Sequence, residues 1–308
     1  MTVAVTATIM GDSPICRGIH RHAMPTLRLP SALMPALMLA LVLAAAPLAR
    51  AQPIYRFSPV NQWDITRTAA YWNPIIRYVS EKSGLAIELK IGRTSADTTA
   101  YVLAREVEFV FSNHLFSPAR QRLGWKVFGR RIAPTLKAQI VVPTDSPLTG
   151  LDQLRGHEIA YAGPEAFIGY KVPSAHLAAL GIPVRNVFSG NQNSAFVQLF
   201  AGRTAAVGSN SMLVDGYAAR EKRAFRVLWE SEGFHDLALM ASSKVPQEHV
   251  GAVADAFFGM HTDPSGYRVL ERASKEVSLT VNDHFIAASL SDYRNYVTWF
   301  ETAPAHLQ

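Results

Sequence analysis

The sequence predicts an α/β protein of two lobes with a cleft between them. Three observations carry that prediction. Short β-type apolar runs alternate with runs of helical period, the pattern of βαβ units whose helices cover mostly parallel sheets. The alternation falls into two successive blocks, parted by a turn signal at Ser146-Pro147. And 308 residues, 49% of them hydrophobic, suffice for two cores of domain size.

The first 51 residues read as an address. Residues 36–46 are an apolar run too short to span a bilayer, interrupted at its edges by Pro35 and Pro47, with Arg28 upstream. Ala49-Arg50-Ala51 is the small-x-small pattern at which a signal peptidase cuts, so cleavage is expected after Ala51. A signal of ordinary length would start at Met24, so residues 1–23 are expected to be an over-extended start. Cys16, the single cysteine, leaves with this segment. The exported chain then has no disulfide, no thiolate nucleophile and no cysteine for metal or lipid. It is also close to charge balance, which speaks against nucleic acid as a partner. A monomeric periplasmic protein is expected.

Taken in order, residues 55–60 read as a strand. Tyr71, Trp72, Ile75, Ile76 and Val79 mark a helix stopped by Ser83-Gly84. A strand follows over 85–91, then a helix over 95–105 with Ser95 as its N-cap. Strands are expected at 107–111, 126–132 and 138–142. The second block holds a short helix at 151–154, a strand at 157–162 and a helix at 167–180 closed by Gly181. Next come a strand at 186–189, a helix at 194–201 and strands at 204–208 and 226–229 around a helix from 212 to about 222. After a strand at 237–241 the rest reads as helical. Val250, Val253, Ala254, Phe257 and Phe258 keep one face, and 285–300 is expected to form a long amphipathic helix.

Catalytic signatures are missing from the pattern. No glycine-rich phosphate loop follows a strand, and there is no Gly-x-Ser-x-Gly elbow. His157-Glu158-Ile159-Ala160-Tyr161 starts like a zinc-protease helix but ends in tyrosine, and its composition is that of a strand. No enzyme activity, cofactor or metal is expected.

Several pieces then agree with one family in order and spacing. They are Trp72-Asn73-Pro74, the stretch 78–84, residues 107–113, 140–148 and 151–156, Gly163-Pro164 with Gly169-Tyr170 and Pro173, Ser189-Gly190, and 228–231. The chain resembles the periplasmic solute-binding proteins of phosphate, phosphite and phosphonate ABC transporters. The resemblance implies a type II periplasmic-binding-protein fold with a hinge and a central cleft. Lobe one would comprise 52–139 plus 238–308 and lobe two 140–237, with hinge strands at 139–142 and near 236–239. It implies capture of a small polar solute or oxyanion for an inner-membrane ABC permease. The alternative is a receptor that signals to a membrane histidine kinase.

The resemblance also indicates the ligand-binding positions. The family's oxyanion loop carries three hydroxyls, where this chain has Gly163-Pro164-Glu165-Ala166-Phe167-Ile168-Gly169. Backbone N–H groups at the helix start remain as donors, but Glu165 adds a negative charge that would repel a dianion, so Glu165→Ser is expected to improve phosphate-type binding. Phe167 is either an apolar wall or core, and Tyr170 a second wall. Asn113 and His114 end a strand facing the cleft, His114 as ligand contact or as packed loop. Asn191 is a helix cap, a ligand contact or both. Thr94, Ser95, Ser209 and Asn210 complete the set, with His235 a weaker candidate. Such a lining suits a ligand with donors as well as acceptors, and speaks against a dianionic phosphate or phosphonate.

Overall fold

The computed structural model describes residues 53–279 and 284–308; the expected signal peptide and its cleavage point lie outside the described residues. Two mixed sheets organise the chain. The first has the order β11-β4-β10-β3-β1-β2, from β1 (Tyr55–Pro59), β2 (Ile87–Leu89), β3 (Phe109–Ser112), β4 (Lys126–Arg131), β10 (Ala238–Ala241) and β11 (Phe285–Ala287). The second has the order β7-β6-β8-β5-β9, from β5 (Leu136–Pro143), β6 (Glu158–Tyr161), β7 (Arg185–Phe188), β8 (Ala206–Asn210) and β9 (Phe225–Phe234). In each, the parallel strands (β1 with β2 and β3; β6 with β7 and β8) come from βαβ units, and antiparallel strands complete the sheet.

The helices follow the apolar periodicity. α1 (Ile65–Ser83) is capped by the Asp64 carboxylate, which accepts the Arg67 N–H, and ends at Gly84 in the left-handed region. Its Tyr71, Trp72, Ile75, Ile76 and Val79 are buried against Phe57, Phe111 and Phe285. After α2 (Asp97–Leu103), α3 (Pro118–Gln121), α4 (Val172–Ala179), α5 (Gln192–Phe200) and α6 (Ser211–Glu221), α7 (Gln247–Gly259) adds Val253 and Phe257 to the same core. α8 (Pro264–Glu276) packs on α1, and α9 (Arg294–Thr302) lies near the end of the chain. Among the described residues no helix is long and apolar enough to cross a membrane.

The long helix expected over 285–300 does not form. Phe285–Ala287 instead pairs antiparallel with Arg131, Arg130 and Gly129 of β4. A 3-10 turn follows at Leu290–Tyr293, its start closed by Ser289 and Asp292, and only then does α9 begin. The edge of β4 offers backbone partners that local periodicity cannot reveal. Ser95 is not a helix cap either. The Asp97 carboxylate takes the N–H groups of Arg93 and Thr94 at 2.6 and 3.0 Å and organises this turn itself.

The chain passes from the first sheet to the second between Arg131 and Leu136, and returns between Phe234 and Ala238. Gln139, expected in the hinge, pairs in mid-sheet with Ser209 and Glu230. Beside the crossovers, Arg131 and Asp236 form a fully buried ion pair at 2.6 Å. The C-terminal end binds both parts together. Tyr296 and Phe300 pack on Phe167 and Phe234, and Leu307 inserts beside Ile140 and Tyr161 while its carbonyl accepts from the Lys171 ammonium at 2.8 Å.

Candidate functional site

In open α/β sheets the carboxyl ends of strands leave a crevice where helices start. Here such ends from both sheets meet. From the first come Val60, Asn61 and Gln62 after β1, Ser95 before α2, and Asn113 and His114 after β3. From the second come Ala162 after β6, residues 166–169, Gln192 at the start of α5, and Asn210 and Leu213 at the start of α6. Leu237, in the return crossover, completes the wall around about 40 Å³ of space. No charged side chain stands among the described lining residues.

Three polar atoms in this cavity are buried without a protein partner, and the surroundings fix the character of each. Asn61 donates its amide nitrogen to the Gly92 carbonyl at 2.7 Å, so its unpartnered Oδ1 is an acceptor. Gln62 accepts the Arg131 guanidinium on Oε1 at 3.2 Å, which leaves Nε2 as a donor. Ser95 Oγ has no partner and can donate or accept. Each group of this kind costs about 1–3 kcal/mol in lost hydration until something pairs with it.

Ser95 is held in place from the other side of the cleft. Its N–H donates to the Gly190 carbonyl at 2.8 Å. Gly190 takes a φ of +87°, a region that only glycine enters at little cost. Gly163 is required for a different reason: a Cβ there would stand 2.8 Å from Ser95 Oγ.

The helix opposite starts with a π turn over Phe167–Lys171 that runs into α4. The Ala166 carbonyl accepts from both Tyr170 and Lys171 N–H at 3.0 Å. The wider turn leaves the first N–H groups, of Phe167, Ile168 and Gly169, without an upstream carbonyl while all three residues line the cavity. α5 and α6 also start at the cleft, so three helix N-termini place their partial positive charge around one space.

His114 is buried, and its Nδ1 lies 3.0 Å from the Thr99 hydroxyl. Burial pushes its pKa down to about 4; Glu165 nearby opposes that shift, and Arg120 and Lys171 add to it. It is therefore a neutral hydrogen-bonding group at ordinary pH. Glu165 itself is neutralised across the cleft by Arg120 of α3, which grips both carboxylate oxygens at 2.5 and 2.9 Å and donates to the His114 carbonyl at 2.8 Å. Burial raises the Glu165 pKa, but Arg120, His114 and Lys171 together outweigh it and hold the carboxyl below its ordinary range. The repulsion expected of Glu165 is thus removed by a partner 45 residues away in the chain.

Of the ten expected residues, the cavity brings together Ser95, Asn113, His114, Phe167 and Asn210. Within it, Phe167 packs mainly on Phe234, Tyr296, Trp299 and Phe300. Asn113 faces the Tyr296 hydroxyl at 3.5 Å, and the Asn210 amide oxygen caps α6 by accepting the Leu213 N–H. The other five lie outside the lining. Thr94 donates to Asp97, Asn191 caps α5 through Ser194 N–H, and Ser209 donates to the Asn210 carbonyl. Tyr170 packs between Tyr161 and Phe188, and Glu165 sits with Arg120. His235 is outside it too, its carbonyl accepting from the Tyr296 hydroxyl.

Asn61, Gln62, Gln192 and Arg120 were not singled out from sequence. Asn61 and Gln62 could have been, because they directly follow a strand, the position from which Asn113 was chosen. Among the described residues no group of three or more His, Cys, Asp or Glu could hold a metal.

Comparison with known proteins agrees with this architecture. Residues 57–293 match the family described as ABC transporter, phosphonate, periplasmic substrate-binding protein. Among solved structures, the chain is similar to a binding protein component of an ABC phosphonate transporter from Pseudomonas aeruginosa. The TM-score is 0.70 at 14% identity, covering 81% of this chain and 86% of that one. PhnD1 from Prochlorococcus marinus, solved in complex with methylphosphonate, gives 0.67 at 13% identity, covering 79% and 95%. A Xanthomonas citri protein bound to ATP gives 0.62 at 15% identity, covering 83% and 97%. At these identities the likeness speaks for the type II periplasmic-binding-protein fold. No curated protein matches the chain.

Proposed function

The chain belongs to the periplasmic phosphonate substrate-binding proteins of ABC transporters, and from that premise we propose that its cleft captures a phosphonate as the singly charged acid. The observation that carries the reading is the set of unpartnered polar atoms. Gln62 Nε2, Ser95 Oγ and the N–H groups of Phe167, Ile168 and Gly169 are donors for the two unprotonated oxygens. Asn61 Oδ1 is an acceptor for the remaining P–OH. No lysine or arginine is needed, because helix N-termini and oriented amides favour an anion. Pairing the orphan groups returns the hydration lost when they were buried, and it does so only when both sides of the cleft are in place.

Members of this family are binding components of transport systems rather than enzymes, and they hand solute to a permease. For this chain we extend that reading to export with cleavage after Ala51 and to action as a monomer. The family match lends no support to a sensor-kinase partner.

Calorimetry on residues 52–308 with methylphosphonate, phosphite, phosphate, glycine and lactate tests the reading. Methylphosphonate is expected to bind, more weakly as pH rises and the ligand loses its last proton. Binding of only the amino acid or the carboxylic acid would refute it.

A further inference from the structure

The cleft extends beyond its polar cavity. A second, narrower space of about 20 Å³ lies between α5, α6 and the turn after α8, with Trp63, Phe196, Met212, Leu213, Val277 and Leu279 among its lining. It meets the polar cavity at Gln62, Gln192 and Leu213, which line both. The guanidinium of Arg220, also in its lining, is engaged by Asn193 at 2.7 Å and by Glu221 at 2.9 Å. Charge is thus satisfied here, and what faces the space is mostly aromatic and aliphatic. Polar atoms that need partners lie on one side of the junction, and apolar surface on the other.

We propose that this side space receives the organic substituent of the ligand, so that the protein prefers phosphonates carrying a short alkyl chain to methylphosphonate and inorganic phosphate. This rests on the phosphonate reading above. The chemistry follows from the two linings. An acid head satisfies the orphan donors and the acceptor, while a chain on its phosphorus replaces water against Trp63, Phe196 and Leu213. Each methylene buried there strengthens binding by a factor of about four. Phosphate and methylphosphonate leave that surface uncovered.

Gly216 gives a clean test. It lies within α6 and lines the side space but not the polar cavity, and a Cβ added to it meets nothing within 4 Å. The Cβ position is therefore open, so Gly216→Leu places a branched side chain in the space, and it raises helix propensity. Calorimetry would compare propylphosphonate, methylphosphonate and inorganic phosphate on residues 52–308, wild type and variant. The wild type is expected to bind propylphosphonate about fifteenfold more tightly than methylphosphonate, a factor of about four for each of two methylenes. The variant, folded as judged by an undiminished Tm, is expected to lose that preference while its methylphosphonate Kd stays within about twofold. Equal affinity of the wild type for the two phosphonates overturns the side-space proposal and leaves the phosphonate reading intact, and so does a propyl preference that survives in the variant. Binding of none of the three ligands overturns both.

Discussion

Arg120 and Glu165 join opposite sides of the cleft, and their removal measures how much closure contributes to affinity. Each side chain is about one-fifth exposed, and two charge-assisted hydrogen bonds link them. Fully exposed pairs contribute at most about 1 kcal/mol, and truncating one member of a fully buried pair costs about 2–5 kcal/mol. This pair falls between, so a coupling of about 1.5 kcal/mol is expected, roughly tenfold in Kd. Arg120→Ala should cost more than Glu165→Ala, because Arg120 also holds the His114 carbonyl. The double variant should cost less than the sum of the two. Phosphonate binding by calorimetry on all four proteins gives the cycle, and stopped-flow release should locate the loss in faster dissociation. Glu165 titrates below its ordinary value while paired with Arg120. The latch is therefore present above the carboxylate's ordinary range and is lost as pH falls through the lowered pKa. Glu165→Ser, expected from sequence to improve phosphate binding, is now expected to weaken it. Additive losses within about 0.4 kcal/mol, or tighter binding by Glu165→Ser, would refute the latch.

Other outcomes follow from the same contacts. His114 has a pKa near 4 when buried against an unfolded value of 6.5. The unfolded chain takes the proton first, so stability is full above pH 6.5 and falls by up to about 3 kcal/mol as pH drops towards 4. Urea denaturation across this range should show the slope, and His114→Gln should flatten it. Ser95→Ala removes a hydroxyl that has no protein partner, so Tm should hold or rise while phosphonate Kd weakens about tenfold by calorimetry. Arg131→Met leaves Asp236 buried without its cation and should cost about 3–5 kcal/mol by denaturation. Arg131→Lys should restore little of this, because one ammonium cannot reach Asp236, Tyr71 and Gln62 in the geometry of a guanidinium.

The order of secondary structure, the two α/β blocks and the family could be read from the chain because periodicity, helix stops and motif spacing are local. The 3.6-residue period of α1 sufficed to choose its buried face, and the ends of β3 pointed to Asn113 and His114. Tertiary structure decided the remainder, wherever a residue's role depends on a partner remote in sequence. Phe285–Ala287 became a strand because β4 offered an edge, whatever its helical periodicity. Glu165 lost its expected repulsion because folding brings Arg120 against it. Gln62 became a donor in the cleft only because Arg131, 69 residues away, occupies its other end. Side chains declare which bonds they can make; only the fold determines which of those bonds are already taken and which are left for a ligand.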